Sequence, residues 1–223
     1  PLWHTLSLHD ALPISVMSPG KLVRPSLAIL AARAVAPYGA HGDDRTGVSD
    51  RTLRYAAAIE LIHIASLVHD DILDGASTRR GRPALYRMVG VRQAVLVGDY
   101  LVMRALELAG SAADSRDISE GLTAITALIQ SQAGEALQGE VFAVEQESLR
   151  TYRKRIAGKT ASLVPLSLVA GARSVEAGDR LTAVLRHVGY RAGLAFQIID
   201  DVLDVAGSVA TLGKAPGSDL RQG

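Results

Sequence analysis

Along most of the chain, apolar residues recur every three to four positions, and short stretches rich in glycine, proline and charge separate these periodic segments. The first segment predicts a helix from about Ser26, stopped near Pro37 and Gly39. The second, "SDRTLRYAAAIELIHIASLVHDDILDG", predicts a long helix with Asp50 as its N-terminal cap and Gly75 at its end. Its roughly 24 residues would form a rod of about 36 Å. A loop of Gly, Ser, Thr and Arg follows. Helices are then predicted over "RQAVLVGDYLVMRALELAGSA" and "ISEGLTAITALIQSQAGEALQGEVFAVEQ". Two more fall in "LRTYRKRIAGKTASLVPLSLVAGARSV", one ending near Gly158 and one starting near Lys159. A last long helix runs from a capping Asp179 to Gly207. No segment alternates convincingly in the manner of a strand, so the expected fold is an all-α bundle.

Two places break the apolar pattern in the same way. Asp70, Asp71 and Asp74 sit at the C-terminal end of the second helix. Asp70 and Asp74 are four residues apart and share a face, with Asp71 about 100° round the helix. Like charges at this spacing repel, and their cost grows where the surroundings are apolar. Alone, such a cluster is equally well a solvated helix end. It recurs, however, as Asp200, Asp201 and Asp204 near the end of the last helix, with the same D-D-x-x-D spacing. A helix C-terminus already carries partial negative charge, so both clusters call for a cation. Carboxylate oxygens suit hard divalent ions, and Mg²⁺ sites of this kind usually share their ligands with phosphate.

Composition narrows the partners. The chain has 223 residues, 48% of them hydrophobic, which suits one domain with a real core. Lys and Arg number 24 against 23 Asp and Glu, a net charge of +1 that gives no sign of nucleic-acid binding. Without cysteine, disulfides and thiolate metal sites are excluded, and a reducing, cytoplasmic setting is expected. No apolar run reaches the 18 or so residues of a membrane span. Residues 1–16 have no Lys or Arg, contain Asp10 and are broken by Pro13, which makes a poor signal peptide. They are expected to be a leader foreign to the domain, leaving 17–223 as a single domain.

The cations then gain meaning by position. Lys21 and Arg24 precede the first helix, Arg79 and Arg80 follow the first aspartate cluster, and Lys159 and Lys214 lie in "AGKTAS" and "LGKAPGSD". Each alone is more often a surface cation. Arg binds phosphate with a bidentate fork and Lys as a point charge. Together with a polyaspartate Mg²⁺ site, they imply a polyanionic substrate, most simply a diphosphate. His63 lies seven residues before Asp70, on the same face two turns back.

These segments together, "GKLVRP", "ELIHIASLVHDDILD", "TRRGRP", "VLVGDYL", "AGKTASL", "FQIIDDVLD" and "LGKAPGSDL", resemble the trans-isoprenyl diphosphate synthase (polyprenyl synthetase) family from about Ser18 to Gly223. The pattern is most like its medium- to long-chain members, with geranylgeranyl products also open. The resemblance implies an antiparallel isoprenoid-synthase-type bundle around a deep cavity. It implies condensation of isopentenyl diphosphate with an allylic diphosphate, and commonly a homodimer. By the same pattern Asp70, Asp71, Asp74, Asp200, Asp201 and Asp204 would hold Mg²⁺. Arg79, Lys159, Thr160, Gln197 and Lys214 would bind the allylic diphosphate, with Phe196 near the site. Lys21, Arg24, His63 and Arg80 would bind isopentenyl diphosphate.

The family sets product length partly by residues just before the first aspartate cluster. Here these are the small Ala65 and Ser66, so no bulky floor is expected at that level. Relative to the family pattern the chain is expected to lack helices at both ends, which opens an inactive or non-catalytic subunit as the alternative. Such subunits tend to lose aspartates, and both clusters are intact here. A class I terpene cyclase is the other rival, but it would normally carry an N/D-S/T-E second motif in place of "DDVLD".

Overall fold

The computed structural model describes residues 21–36, 48–111, 113–138, 152, 156 and 162–206. The expected leader 1–16, the stop at Pro37 and Gly39, the break between Gly158 and Lys159, and the segment after the last helix lie outside these residues. The described residues form seven helices of an all-α bundle. They are α1 (Val23–Val35), α2 (Asp50–Leu73), α3 (Leu85–Val89), α4 (Val91–Gly110), α5 (Ser115–Gln138), α6 (Leu163–Ser174) and α7 (Asp179–Ala206). None is long and apolar enough to cross a membrane.

Several boundaries differ from the sequence expectation for local reasons. Helix α1 starts at Val23 and includes Pro25, because a first-turn proline lacks only an N–H that would have no helical partner. The cap of α2 is Ser49, not Asp50; its Oγ accepts the Thr52 N–H at 3.1 Å. Asp179 lies within the first turn of α7, where the Leu181 and Thr182 N–H groups donate to the Gly178 carbonyl. Helix α6 begins at Leu163, four residues beyond Lys159. The arginine loop contains a two-stranded antiparallel hairpin, β1 (Thr78–Arg79) and β2 (Arg82–Pro83). Its central residues Arg80 (φ 52°) and Gly81 (φ 76°) are both left-handed, as a tight hairpin turn requires.

Helix α2 is the hub, packed against α1, α4 and α6 and touching α3 and α5. Its C-terminal half contributes Ala65 and Val68 to a cluster with Leu85, Val89, Val97 and Leu101. Its N-terminal half packs Ala58, Ile59 and Ile62 against Ile125, Leu128 and Leu166. The buried Thr52 and Ser174 hydroxyls, 2.6 Å apart, pin the start of α2 to the end of α6. Helix α7 packs on α6, which in turn packs on α1 and α2.

These approaches depend on small residues. A Cβ on Gly171 of α6 would collide with the Ala28 carbonyl of α1, and one on Gly189 of α7 would lie 2.7 Å from the Pro165 Cα. The neighbour is backbone in both cases and cannot rotate away. Gly171→Ala is therefore expected to destabilise the fold by about 1–3 kcal/mol despite the better helix propensity of alanine. A denaturation midpoint equal to that of the unsubstituted chain would rule out this close packing.

Candidate active site

The three aspartates at the end of α2 occupy different environments. Asp74 is the exposed C-cap residue, whereas Asp70 and Asp71 keep only 8% and 4% of their surface exposed. Carboxylates this buried need donors. Asp71 receives the Nε–H of Arg79 at 2.7 Å, and the Arg79 Nη2 donates to the same oxygen. The turn that ends α2 makes this pairing possible: Gly75 is left-handed (φ 61°), the Ala76 N–H donates to the Asp71 carbonyl at 2.9 Å, and the chain turns back so that Arg79 reaches the helix end. Asp70 receives one Nε2 hydrogen of Gln132 at 2.8 Å, and the same amide donates to the Ser66 carbonyl at 3.1 Å. Gln132, on α5, is 7% exposed. Nothing in the sequence marked it, because a neutral amide carries no charge signal.

On α7, Asp201 accepts from Gln197 Nε2 at 2.8 Å and from the Tyr152 hydroxyl at 2.6 Å. Tyr152 was also unforeseen, and Gln197 here serves a carboxylate. Asp200 is exposed, as is Phe196 at 62%. The side chain of Asp204, and Lys159, Thr160 and Lys214 as a whole, lie outside the described residues. Among the described residues, no three His, Asp or Glu side chains converge tightly enough to ligate one ion. The aspartates expected to hold Mg²⁺ are thus not gathered into one cluster among them. Helix α7 packs mainly on α6, not α2, and the buried carboxylates are instead bound by protein donors.

A second group forms where the start of α1, the middle of α2 and the hairpin meet. Burial pushes the His63 imidazole down to about 3, and the positive charges of Arg24, Arg80 and Arg79 push it the same way. The ring is neutral at physiological pH and surrounded by cations. Arg24 is itself shifted down by burial, opposed by the Glu60 carboxylate, with Arg80 adding to the fall. Its Nε is buried with no hydrogen-bond partner among the described residues. Glu60, also unforeseen, is raised by burial against the pull of Arg24 and Arg80. Lys21, three residues before Arg24, is exposed. A buried guanidinium N–H close to a neutral imidazole, with two more arginines nearby, is an arrangement that suits an anion.

Ala65 and Ser66 diverge. Ala65, 1% exposed, is locked in the cluster shared with α3 and α4. Ser66 faces α5, its carbonyl held by Gln132 and its hydroxyl donating to the His63 carbonyl at 2.8 Å.

The described residues thus form a helical bundle with two aspartate-bearing helix ends and a cationic group where α1, α2 and the hairpin meet. The chain belongs to the polyprenyl synthetase family, whose model matches residues 6–223. It is 38% identical over 209 residues to heptaprenyl diphosphate synthase component 2 of Geobacillus stearothermophilus, covering 92% of this chain and 60% of that protein. Over 208 residues it is 39% identical to a short chain isoprenyl diphosphate synthase of Methanothermobacter thermautotrophicus, with the same two coverages. The chain thus spans about 60% of the length of these relatives. Its fold matches the crystal structure of a polyprenyl synthase from Caulobacter crescentus CB15 complexed with calcium and isoprenyl diphosphate. The TM-score is 0.83 at 33% identity, over 96% of this chain and 61% of that one.

The histidine gives a pH test. With a native value near 3 against an ordinary 6.5, the unfolded chain binds more protons at His63 between these limits. Its contribution to stability is complete above about pH 6.5 and is lost as pH falls towards 3. His63→Gln should flatten that part of the stability profile, measured by denaturant midpoints at stepped pH. An unchanged slope would contradict the buried neutral imidazole.

Proposed function

We propose that this chain carries the catalytic half-sites of a prenyltransferase, which joins isopentenyl diphosphate to an allylic diphosphate and yields a longer trans-polyprenyl diphosphate. The observation that carries the reading is the presence, along the C-terminal half of α2, of buried paired aspartates and a cationic pocket whose Arg24 Nε has no partner among the described residues. The family membership supports it, and so do the calcium and isoprenyl diphosphate with which the Caulobacter relative is complexed.

The donor set is all carboxylate oxygen, which fits Mg²⁺. Asp70, Asp71 and Asp74 with Asp200, Asp201 and Asp204 would hold it, and when bound it would neutralise diphosphate charge so that the allylic C–O bond can ionise. The chain's own residues do the rest. Arg79, now on Asp71, and Gln197, now on Asp201, would exchange a carboxylate for a diphosphate oxygen. Lys159, Thr160 and Lys214 complete that set in the proposal. Lys21, Arg24, His63 and Arg80 bind the diphosphate of isopentenyl diphosphate. Because His63 is neutral, its ring can orient an anion without becoming an acid towards it. The C–O bond electrons leave with the diphosphate, and the isopentenyl double bond closes the new C–C bond. The proton then lost is taken by the departing diphosphate, since no side-chain base is evident among the described residues. Apolar helix walls keep water from the allylic cation.

A cytoplasmic setting and homodimeric assembly belong to the same proposal. The name "component 2" of one relative supports association with a further subunit. Product length is proposed to depend on Ser66, which faces α5, more than on Ala65, which is packed in the core.

Radiolabelled isopentenyl diphosphate should be incorporated in the presence of Mg²⁺ and not in EDTA, and Asp70→Ala should lower the rate by at least about 100-fold. Full incorporation in EDTA would refute the metal-assisted reading. Ser66→Phe should shorten the product on chromatography, and an unchanged product spectrum would remove Ser66 from length control.

A further inference from the structure

Asp201 is bound at both of its carboxylate oxygens. Gln197, one turn back on α7, donates an Nε2 hydrogen to Oδ1 at 2.8 Å. Tyr152 donates its hydroxyl to Oδ2 at 2.6 Å, across 49 residues of sequence. That length falls in the range of charge-assisted O–H···O⁻ bonds, which are about twice as strong as neutral ones. With one donor on each oxygen, the carboxylate plane is fixed. Tyr152 is itself half-buried, and Ile156, four residues on, is 3% exposed, so the chain beside the phenol is anchored in the core.

The two clusters hold their bonded aspartates differently. Asp71 is paired with the Arg79 guanidinium, which offsets its charge on the spot. Asp201 is half-buried, both of its donors are neutral, and it has no ion pair among the described residues. Its charge is therefore retained, and each oxygen keeps a second acceptor direction. A partly desolvated carboxylate that is oriented but not neutralised is unfavourable until a positive group meets it.

The two donors are not equivalent. Gln197 belongs to the set proposed above to turn to a diphosphate oxygen, and that turn vacates Oδ1. Tyr152 is outside that set. We propose that Tyr152 is a positioning residue for the diphosphate site: once Gln197 has turned away, the phenol on Oδ2 keeps Asp201 in place and leaves Oδ1 open to a cation. This rests on the prenyltransferase reading of the site. In the empty chain Gln197 also holds Asp201, so the Tyr152 hydroxyl matters more to ligand binding than to folding.

The test separates these two contributions. A prenyl thiodiphosphate is titrated calorimetrically at stepped Mg²⁺ concentrations. The Mg²⁺ needed for half-maximal binding is read beside the melting midpoint of the ligand-free chain. Tyr152→Phe removes one oxygen and keeps the ring. It should leave the melting midpoint nearly unchanged and raise the Mg²⁺ requirement about 10-fold, the scale on which hydrogen-bond partners of metal ligands act. Asp201→Asn should raise the requirement too, and adding Tyr152→Phe to it should raise it no further. A folded Tyr152→Phe with the unsubstituted Mg²⁺ requirement overturns the proposal, as do additive effects in the double variant. Melting of Tyr152→Phe below the assay temperature also overturns it, because the hydroxyl then serves folding. An unchanged requirement in Asp201→Asn overturns it however Tyr152→Phe folds. Failure of the unsubstituted chain to bind the thiodiphosphate at any Mg²⁺ concentration overturns the prenyltransferase reading, and the positioning role with it.

Discussion

The constraint on which the rest depends is negative charge at the end of a helix that is already negative there. Asp70 and Asp71 are almost wholly buried at the C-terminus of α2, where the macrodipole opposes them. Two devices answer it among the described residues. The left-handed turn at Gly75 brings Arg79 back onto Asp71, and α5 runs parallel to α2 so that Gln132 reaches Asp70. One donor is charged and carried by a short hairpin, the other neutral and carried by a long helix. A bound cation would relieve the same repulsion.

That division extends along α2. Next to the aspartates it carries His63, kept neutral by burial and by the arginines around it. Further back it lines an apolar cavity, and at its start Arg51 and Tyr55 bond Asp117 of α5, where burial and then the hydrogen bond to Asp117 push the Tyr55 phenol up to about 12. A single helix thus orders, from C- to N-terminus, carboxylates, a histidine among arginines, an apolar wall and a polar network. The packing that fixes this order depends on glycines: Gly171 lets α6 approach α1, and Gly189 lets α7 approach α6.

Much of this was legible in the sequence, for physical reasons. Helices α2, α4, α5 and α7 are long enough for the apolar period to show, and the doubled D-D-x-x-D spacing stands out because charge is rare on such faces. The hairpin was missed because two-residue strands have no period. Asp50 was mistaken for the cap because Ser49 beside it is an equally good one. Gln132 and Tyr152 were missed because they act through contacts far away in sequence and bear no charge. The cationic pocket was anticipated from Arg24, His63 and Arg80, but Glu60 in its midst was not. Its carboxylate reads as a surface residue until burial is known. Ala65 and Ser66 looked equivalent, and only the neighbours of each separate a core position from one facing α5.

The most direct measurement is calorimetric titration of an allylic diphosphate into the chain with Mg²⁺ present, with Mg²⁺ chelated, and with Asp70 and Asp200 both replaced by alanine. Tight binding that requires Mg²⁺ and is lost in the double variant is the expected result. Equal affinity under all three conditions would contradict a metal-assisted diphosphate site.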